Sequence, residues 1–315
     1  MSTTLSSPPS LLARSTGNVA GRKLKNIVML MLCIIAAGLA ILVLGLVLFF
    51  LLSKGFSSLH VRLFTQLPDN IDTSKGGMAQ SVFGTLVLLG VSSAIGLPFG
   101  ILGGIYQIEA RGKFASLVRF FTDVLNGIPS IVIGIFAYAA VVAPLAAKAA
   151  LEHKAAAGFS AYAGGFALGI LMIPTVMRTT EEILRLVPFS LREASLGLGA
   201  TRWRTMWSVV LPAARGGIIT GVMLALARIA GETAPLLFTI FGNELFETHK
   251  VAGVSIPTLT SPIDALPLRI YKYSQDVDPN HNAQAWAAAV ILITLILVLS
   301  IAARLATRGN MQEEK

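Results

Sequence analysis

Arg228 and Glu232 are the only charged residues between Gly216 and Phe241. Arg228 lies 12 residues past Gly216, about 18 Å along a helix rising 1.5 Å per residue. If the run crosses a bilayer, that depth is near its middle, where a charge costs about 2.5–3.5 kcal/mol on insertion scales. Two such charges need compensation or a use. Four residues apart on a helix, they share one face and can pair. One chemistry open to them is anion transit. The guanidinium would attract the anion, and the carboxylate would compete with it so that binding stays weak enough for release. The other is structural, a satisfied pair gluing helices together. The residues alone leave both open.

Other reactive side chains carry less. Asn280-His281-Asn282 has no cysteine and no second nearby histidine, so it reads as a solvated loop and no metal site is expected. Cys33 lies in an apolar run and reads as a small buried hydrophobe. Gly17-Asn18-Val19-Ala20-Gly21-Arg22-Lys23 falls one residue short of a phosphate-cradling loop, and no hydroxyl follows the lysine. No catalytic residues are expected, and any nucleotide must bind another chain.

The elements that position these residues follow from composition. The chain has 315 residues, 54% hydrophobic and 13% charged, against roughly a quarter charged in soluble domains. That gap, with repeated apolar runs near bilayer length, marks a membrane protein. Six spans are predicted: Ile27–Leu52, Met78–Ile108, Thr122–Ala147, Ala161–Met177, Gly216–Phe241 and Gln284–Ala303. The first is too long for a secretory signal core and lacks a cleavage site, so it should stay in place. The second carries Gly96, Gly100 and Gly104 at four-residue spacing beside Pro98. Such spacing suits close helix packing, or a bend. The Ala-rich stretch Leu145–Phe159 reads as a short helix outside the membrane. The organisation expected is a disordered tail over 1–21, a first helix and outer loop over 22–77, a five-helix core over 78–306 with a cytoplasmic loop at 178–215, and a tail over 307–315.

The excess of 25 Lys+Arg over 16 Asp+Glu invites a nucleic-acid reading, which location excludes. With the amino terminus inside, 16 basic residues fall in cytoplasmic segments and 8 outside. That two-to-one bias places both termini in the cytoplasm. The longest outer segment, Phe241–Ala283, is Pro-rich and carries Glu244, Glu247, Asp264, Asp276 and Asp278.

Between spans four and five runs Glu193-Ala194-Ser195-Leu196-Gly197-Leu198-Gly199, followed after nine residues by Val209-Val210-Leu211-Pro212. Glu193 is expected in the first turn of a helix, where a carboxylate suits the dipole. Gly199 permits the turn out of it. Ala194, Ser195 and Ala200 are small enough for a partner to come close. Arg202, Trp203, Arg204 and Trp207 suit a headgroup boundary, and Pro212 sits just before the next span, where a proline costs little. A basic loop lying on the membrane is the bland alternative, but it leaves the register over 20 positions unexplained.

This register resembles the EAA signature of ABC-type import permeases, with Ser195 for the second alanine and Val209 for isoleucine. The resemblance implies an all-α membrane protein of six transmembrane helices with type I importer permease (MetI-like) architecture. It also implies an ATPase docked through Glu193, Ala194, Ser195, Gly199, Leu211 and Pro212. The stretch Arg228-Ile229-Ala230-Gly231-Glu232-Thr233-Ala234-Pro235-Leu236-Leu237-Phe238-Thr239 is similar to the PstA family of phosphate-import permeases. Supporting stretches are Gly127–Phe136 and Asp264–Tyr271. That similarity implies inorganic phosphate passing Arg228, Glu232 and Thr233. The partners it implies are a sister permease (PstC-like), a pair of ATPase subunits holding ATP (PstB-like) and an extracytoplasmic phosphate-binding protein (PstS-like). This chain would bind no cofactor and would contact lipid but no nucleic acid, in a cell inner membrane. Sulfate and molybdate permeases, and the sister phosphate permease, differ in the Gly231–Pro235 stretch and stand as alternatives. An ion-coupled carrier without an ATPase is a third reading, which leaves the cytoplasmic motif unexplained.

Overall fold

A computed structural model describes residues 19–69, 72–110, 112–150, 158–243, 248–251 and 254–312. Nearly all of the tail expected over 1–21, and Arg14, Arg111, Lys154, Glu244, Glu247 and Lys315, lie outside the described residues. In chain order the helices are α1 (Val19–Ser57), α2 (Arg62–Thr65), α3 (Ala79–Glu109), α4 (Lys113–Gly127) and α5 (Ser130–Ala137). A π turn at Tyr138–Val142 leads into α6 (Ala143–Ala150), then α7 (Ala161–Arg185), α8 (Phe189–Gly197) and α9 (Arg202–Thr205). A second π turn, Met206–Val210, precedes α10 (Leu211–Ala230) and α11 (Ala234–Thr239). The antiparallel strands β1 (Thr248–Val251) and β2 (Val254–Pro257), α12 (Leu266–Ser274) and α13 (Pro279–Gln312) complete the order. Among the described residues six helical runs are long and apolar enough to cross a membrane: Gly21–Ser57, Ala79–Glu109, Ser130–Ala149, Ala161–Arg185, Arg202–Ala230 and Pro279–Leu305.

The chain divides into two units, residues 1–52 and 53–315. The described part of the first is α1 up to Leu52, which buries no residue over 21–52 and is apolar on every face from Ile27 to Leu52. A helix of that kind has no core to face and needs an apolar solvent around it.

In the second unit α3 and α7 form the central pair. Gly96, Gly100 and Gly104 lie against Met172, Val176 and Thr180, so a Cβ on any of them would stand 2.6–2.7 Å from the opposing side chain. Higher up the same seam the roles reverse, with Gly165 and Gly169 receiving Val91 and Ile95. Paired numbers rise together, so the two helices run parallel. The glycine spacing therefore serves close packing. Numbers fall against each other where Gly217 meets Ile183 and Gly221 meets Thr179, so α10 runs antiparallel to α7.

Polar side chains close both ends of this pair. Near the start of α3, Ser81 Oγ donates to Asp264 Oδ2, and Thr85 Oγ1 accepts the Leu266 amide at 2.9 Å. Asp264 is paired with Arg269 at 2.7 Å, and the two side chains are 0% and 1% exposed. Near the end of α3, Gln107 Nε2 donates to Thr122 Oγ1 and Met177 Sδ, each at 3.0 Å. Arg119 donates to the Gln107 carbonyl at 3.2 Å and to the buried Glu181 at 2.9 Å, and Arg185 also reaches Glu181.

Several boundaries differ from those expected. The third span starts at Ser130, not Thr122, because Pro129 holds Ile128 extended at ψ 131°. The preceding α4 is a separate helix. The fourth span runs two turns past Met177, since Glu181 is neutralised by Arg119 and Arg185, and Arg178 pairs with Asp123 and Glu182. The fifth begins at Arg202 and stops at Ala230. The segment 241–283, expected outside, is more than a solvated loop. It holds a hairpin and α12, and it buries Asp264 and Arg269 completely. An apolar cluster of Leu63, Met78, Leu266, Ala287, Ala288 and Ile291 packs beside them.

Candidate functional site

The loop joining α7 to α9 is built to stand out from the bundle. Pro188 flanks α8 as its N-cap, with φ near −56° and an extended ψ of 135°, so the helix begins at Phe189. No residue of α8 is buried, and Phe189 and the following Leu198 are 70% and 90% exposed. At its end the Ala200 amide donates to the Ser195 carbonyl at 3.2 Å, and the Gly199 amide to the Leu196 carbonyl at 2.9 Å. These are the two bonds of a Schellman stop, which needs a left-handed residue at the Gly199 position. Gly199 takes φ +85° there with open space around it. Thr201 then caps α9, its Oγ1 accepting the Arg204 amide at 3.3 Å.

Glu193 lies in the middle of α8 rather than in its first turn, because the helix starts at Phe189. Ala194 is exposed beside it, and Ser195 shares a 2.9 Å hydrogen bond with the buried Thr205. Leu211 and Pro212 fall inside a continuous helical run rather than before a span. The wide π turn Met206–Val210 precedes Pro212, whose ring would otherwise collide with the preceding turn. Trp203 and Trp207 meet edge to face, centroids 5.4 Å apart, on the exposed side.

Arg192, which the motif does not include, makes the link from α8 to the bundle. Its Nη1 donates to Glu109 Oε1 at 3.0 Å and its Nη2 to the Leu184 carbonyl at 3.3 Å. The partners stand 83 and 8 residues away, and only the fold brings them together.

The second candidate region is a break just past the end of the fifth span, inside the run Gly216–Phe241 expected to cross as one helix. Helix α10 ends at Ala230, and the Gly231 and Glu232 amides close its last turn on the Arg228 and Ile229 carbonyls, each at 3.2 Å. Thr233 then opens α11, which packs on α5 where Gly134 admits Pro235. Arg228 is exposed in the last turn of α10, where the helix dipole favours a cation. Glu232 and Thr233 are half-buried in the break. Since the helix stops between them, Arg228 and Glu232 do not share a helix face. Among the described residues no ion pair or hydrogen bond joins the two. The break thus leaves a cation and a carboxylate separately placed beside non-helical backbone.

Among the described residues no cluster of His, Cys, Asp or Glu could hold a metal ion. His281 bonds Asp276 at 2.7 Å and stacks on Tyr273 at 4.2 Å. The Asp276 carboxyl is held below its ordinary value by the Asp278 amide and then by His281.

Residues 96–310 match the model of the binding-protein-dependent transport system inner membrane component family. The chain is 39% identical over 286 residues to the phosphate transport system permease protein PstA of Haemophilus influenzae, covering 90% of this chain and 94% of that one. It is 39% identical over 287 residues to the Yersinia pestis PstA, covering 90% of both, and 35% identical over 233 residues to PstA 1 of Mycobacterium tuberculosis strain H37Rv, covering 72% and 68%. Among solved structures, a chain of a bacterial alginate ABC transporter superposes with TM-score 0.60 at 16% identity, over 91% of this chain and 96% of that one. A chain of the inward-facing MetNI methionine ABC transporter superposes with TM-score 0.52 at 19% identity, over 73% and 92%. The fold is thus that of ABC importer permeases. By sequence the chain belongs to the family of binding-protein-dependent transport system inner membrane components and, within it, to the PstA phosphate transport permeases.

Proposed function

We propose that this chain is the transmembrane subunit of an ATP-driven importer of inorganic phosphate in the cell inner membrane, forming half of the translocation pathway. The observation that carries the cargo is 39% identity to phosphate permeases over nine-tenths of the chain. Geometry supports the route. Arg228 is an exposed cation at the end of α10, beside backbone that leaves the helix at Gly231–Thr233. Non-helical backbone at membrane depth is tolerated where it is buried in protein or lines a water-filled cavity. With Glu232 unpaired to it, Arg228 can meet a passing oxyanion, and Glu232 and Thr233 face the same break.

The coupling surface is the α8 loop. Its exposed Glu193 and Ala194, with the half-buried Ser195, the left-handed Gly199 and the helical Leu211-Pro212 step, offer a protruding helix to an ATPase that carries the ATP. A sister permease would complete the pathway, and a phosphate-binding protein would deliver cargo on the far side. Both termini lie in the cytoplasm on this reading. The basic-residue bias supports that; the parallel run of α3 and α7 is what alternation requires of the second and fourth spans, whichever side holds the termini. This chain carries no catalytic step. Closure of the ATPases would move α8, and the bundle would alternate between two discrete arrangements.

The test is phosphate uptake by the assembled complex carrying Arg228→Gln. Uptake should be lost while ATPase and sister permease still co-purify. Failure to assemble would make Arg228 structural glue. Unchanged high-affinity phosphate uptake in cells deleted for this gene would remove phosphate as the cargo.

A further inference from the structure

Helix α8 touches the bundle at few points. It buries no residue, and a cleft of about 230 Å³ opens beside it, lined by Ile108, Phe189, Leu196 and Met206 among others. Displacing α8 therefore moves the membrane helices through its two covalent ends, the Ser195–Thr205 bond and Arg192. Of these, Arg192 alone spans two membrane helices. One guanidinium nitrogen holds Glu109, the last residue of α3, and the other holds the carbonyl of Leu184, next to last in α7.

Chemistry at those two acceptors suits an arginine. The last four carbonyls of a helix lack partners within it, and the Leu184 carbonyl is one of these. Glu109 places a negative charge at a helix end whose dipole is already negative, and a cation there relieves both. Because α3 and α7 run parallel, their ends lie side by side, and a planar fork can hold both at once. A lysine, a point charge on a flexible stem, cannot reproduce that double grip. The Arg192 and Glu109 side chains are 17% and 35% exposed, so water reaches the pair and its contribution to stability is small. Its value lies in direction.

We infer that Arg192 is a positioning residue that clamps the coupling helix to the ends of α3 and α7, so that movement of α8 is passed to both helices together. This rests on the reading of α8 as the ATPase-docking element.

The test uses the full complex in proteoliposomes, with phosphate transported per ATP hydrolysed as the readout and ATPase co-purification as a control. Arg192→Gln should lower that ratio about tenfold, the factor one charge-assisted hydrogen bond can carry. Glu109→Gln should lower it less. If the two side chains form one clamp, the double variant should be no worse than Arg192→Gln alone. Unchanged ratios in both single variants would overturn the inference, as would effects that multiply in the double variant. Loss of ATPase association in either single variant would also overturn it, since the clamp transmits and does not dock. If the wild-type chain does not associate with an ATPase at all, the underlying reading of α8 fails instead.

Discussion

The two ends of α3 hold charge in opposite ways. Where α3 begins, Ser81 and Thr85 meet Asp264, Arg269 and the Leu266 amide in a cluster from which water is excluded. Where α3 ends, Glu109 meets Arg192 in a pair that water can enter. A buried pair has weak claims on net stability, yet losing one partner strands the other without solvation. A wet pair can open and close at little cost. The contact at the start of α3 is therefore fixed, whereas the Glu109–Arg192 contact at its last residue is releasable, as expected of a link to a part that is pulled from one side.

The sharpest way to break that contrast is at the dry end. Arg269→Met should cost about 3–5 kcal/mol by leaving Asp264 buried and unpaired, seen as loss of folded protein in the membrane. The double change Asp264→Leu with Arg269→Met should recover most of the yield, because it removes both charges. Equal failure of the single and double variants would mean that the cluster does more than neutralise itself.

A smaller effect is expected at the wet end. Gly199→Val should cost about 1–3 kcal/mol of local strain, the range for a non-glycine residue in a left-handed position. Because nothing lies near a Cβ there, the damage should be confined to the α8 stop. ATPase association should weaken while membrane levels of the chain stay normal. Normal association would remove Gly199 from the coupling surface.

The smallest effect sharpens the comparison from outside the spans. Asp276 has a native pKa below its ordinary value, so the stabilisation it lends its turn is present above the ordinary carboxylate range. It is lost as pH falls through the native value. Hydrogen exchange of the Asp276–His281 turn, corrected for intrinsic rate, should be flat near neutral pH and rise in that acidic window. Asp276→Asn should remove the step. A pH response that survives the substitution would assign it elsewhere.

Much of the fold is legible in the sequence because bilayer length is a strong constraint. Each of the six apolar runs overlaps a membrane-length helix, though the third and fifth are broken, and the four-residue glycine spacing foretells the α3–α7 seam. Helix ends were harder to place. Absence of charge extends a predicted span across Thr122–Gly127, although Pro129 already forbids one continuous helix there. The pairing expected of Arg228 with Glu232 assumes an unbroken helix, while Gly231 and Pro235 are both breakers. Contacts that need the whole fold leave no local trace. Nothing near Asp264 or Arg269 signals burial, and nothing near Arg192 points to a glutamate 83 positions earlier. The Glu193–Gly199 stretch is readable because its register is local, ending in a glycine whose left-handed turn follows from its chemistry.

The α3–α7 seam repeats every four residues on both helices, like teeth on a pair of racks. Sliding α3 along α7 by a single turn, about 5.4 Å, would keep glycines facing side chains at Gly96 and Gly100 but carry Ile95 from Gly169 onto Ile173. The reversal of roles along the seam thus sets the phase of the two racks. A second key is Gln107, whose amide reaches Met177 at 3.0 Å and whose carbonyl receives the Arg119 that also grips Glu181. A greasy pair of helices thus carries its alignment twice, in the order of its teeth and in a polar notch near one end.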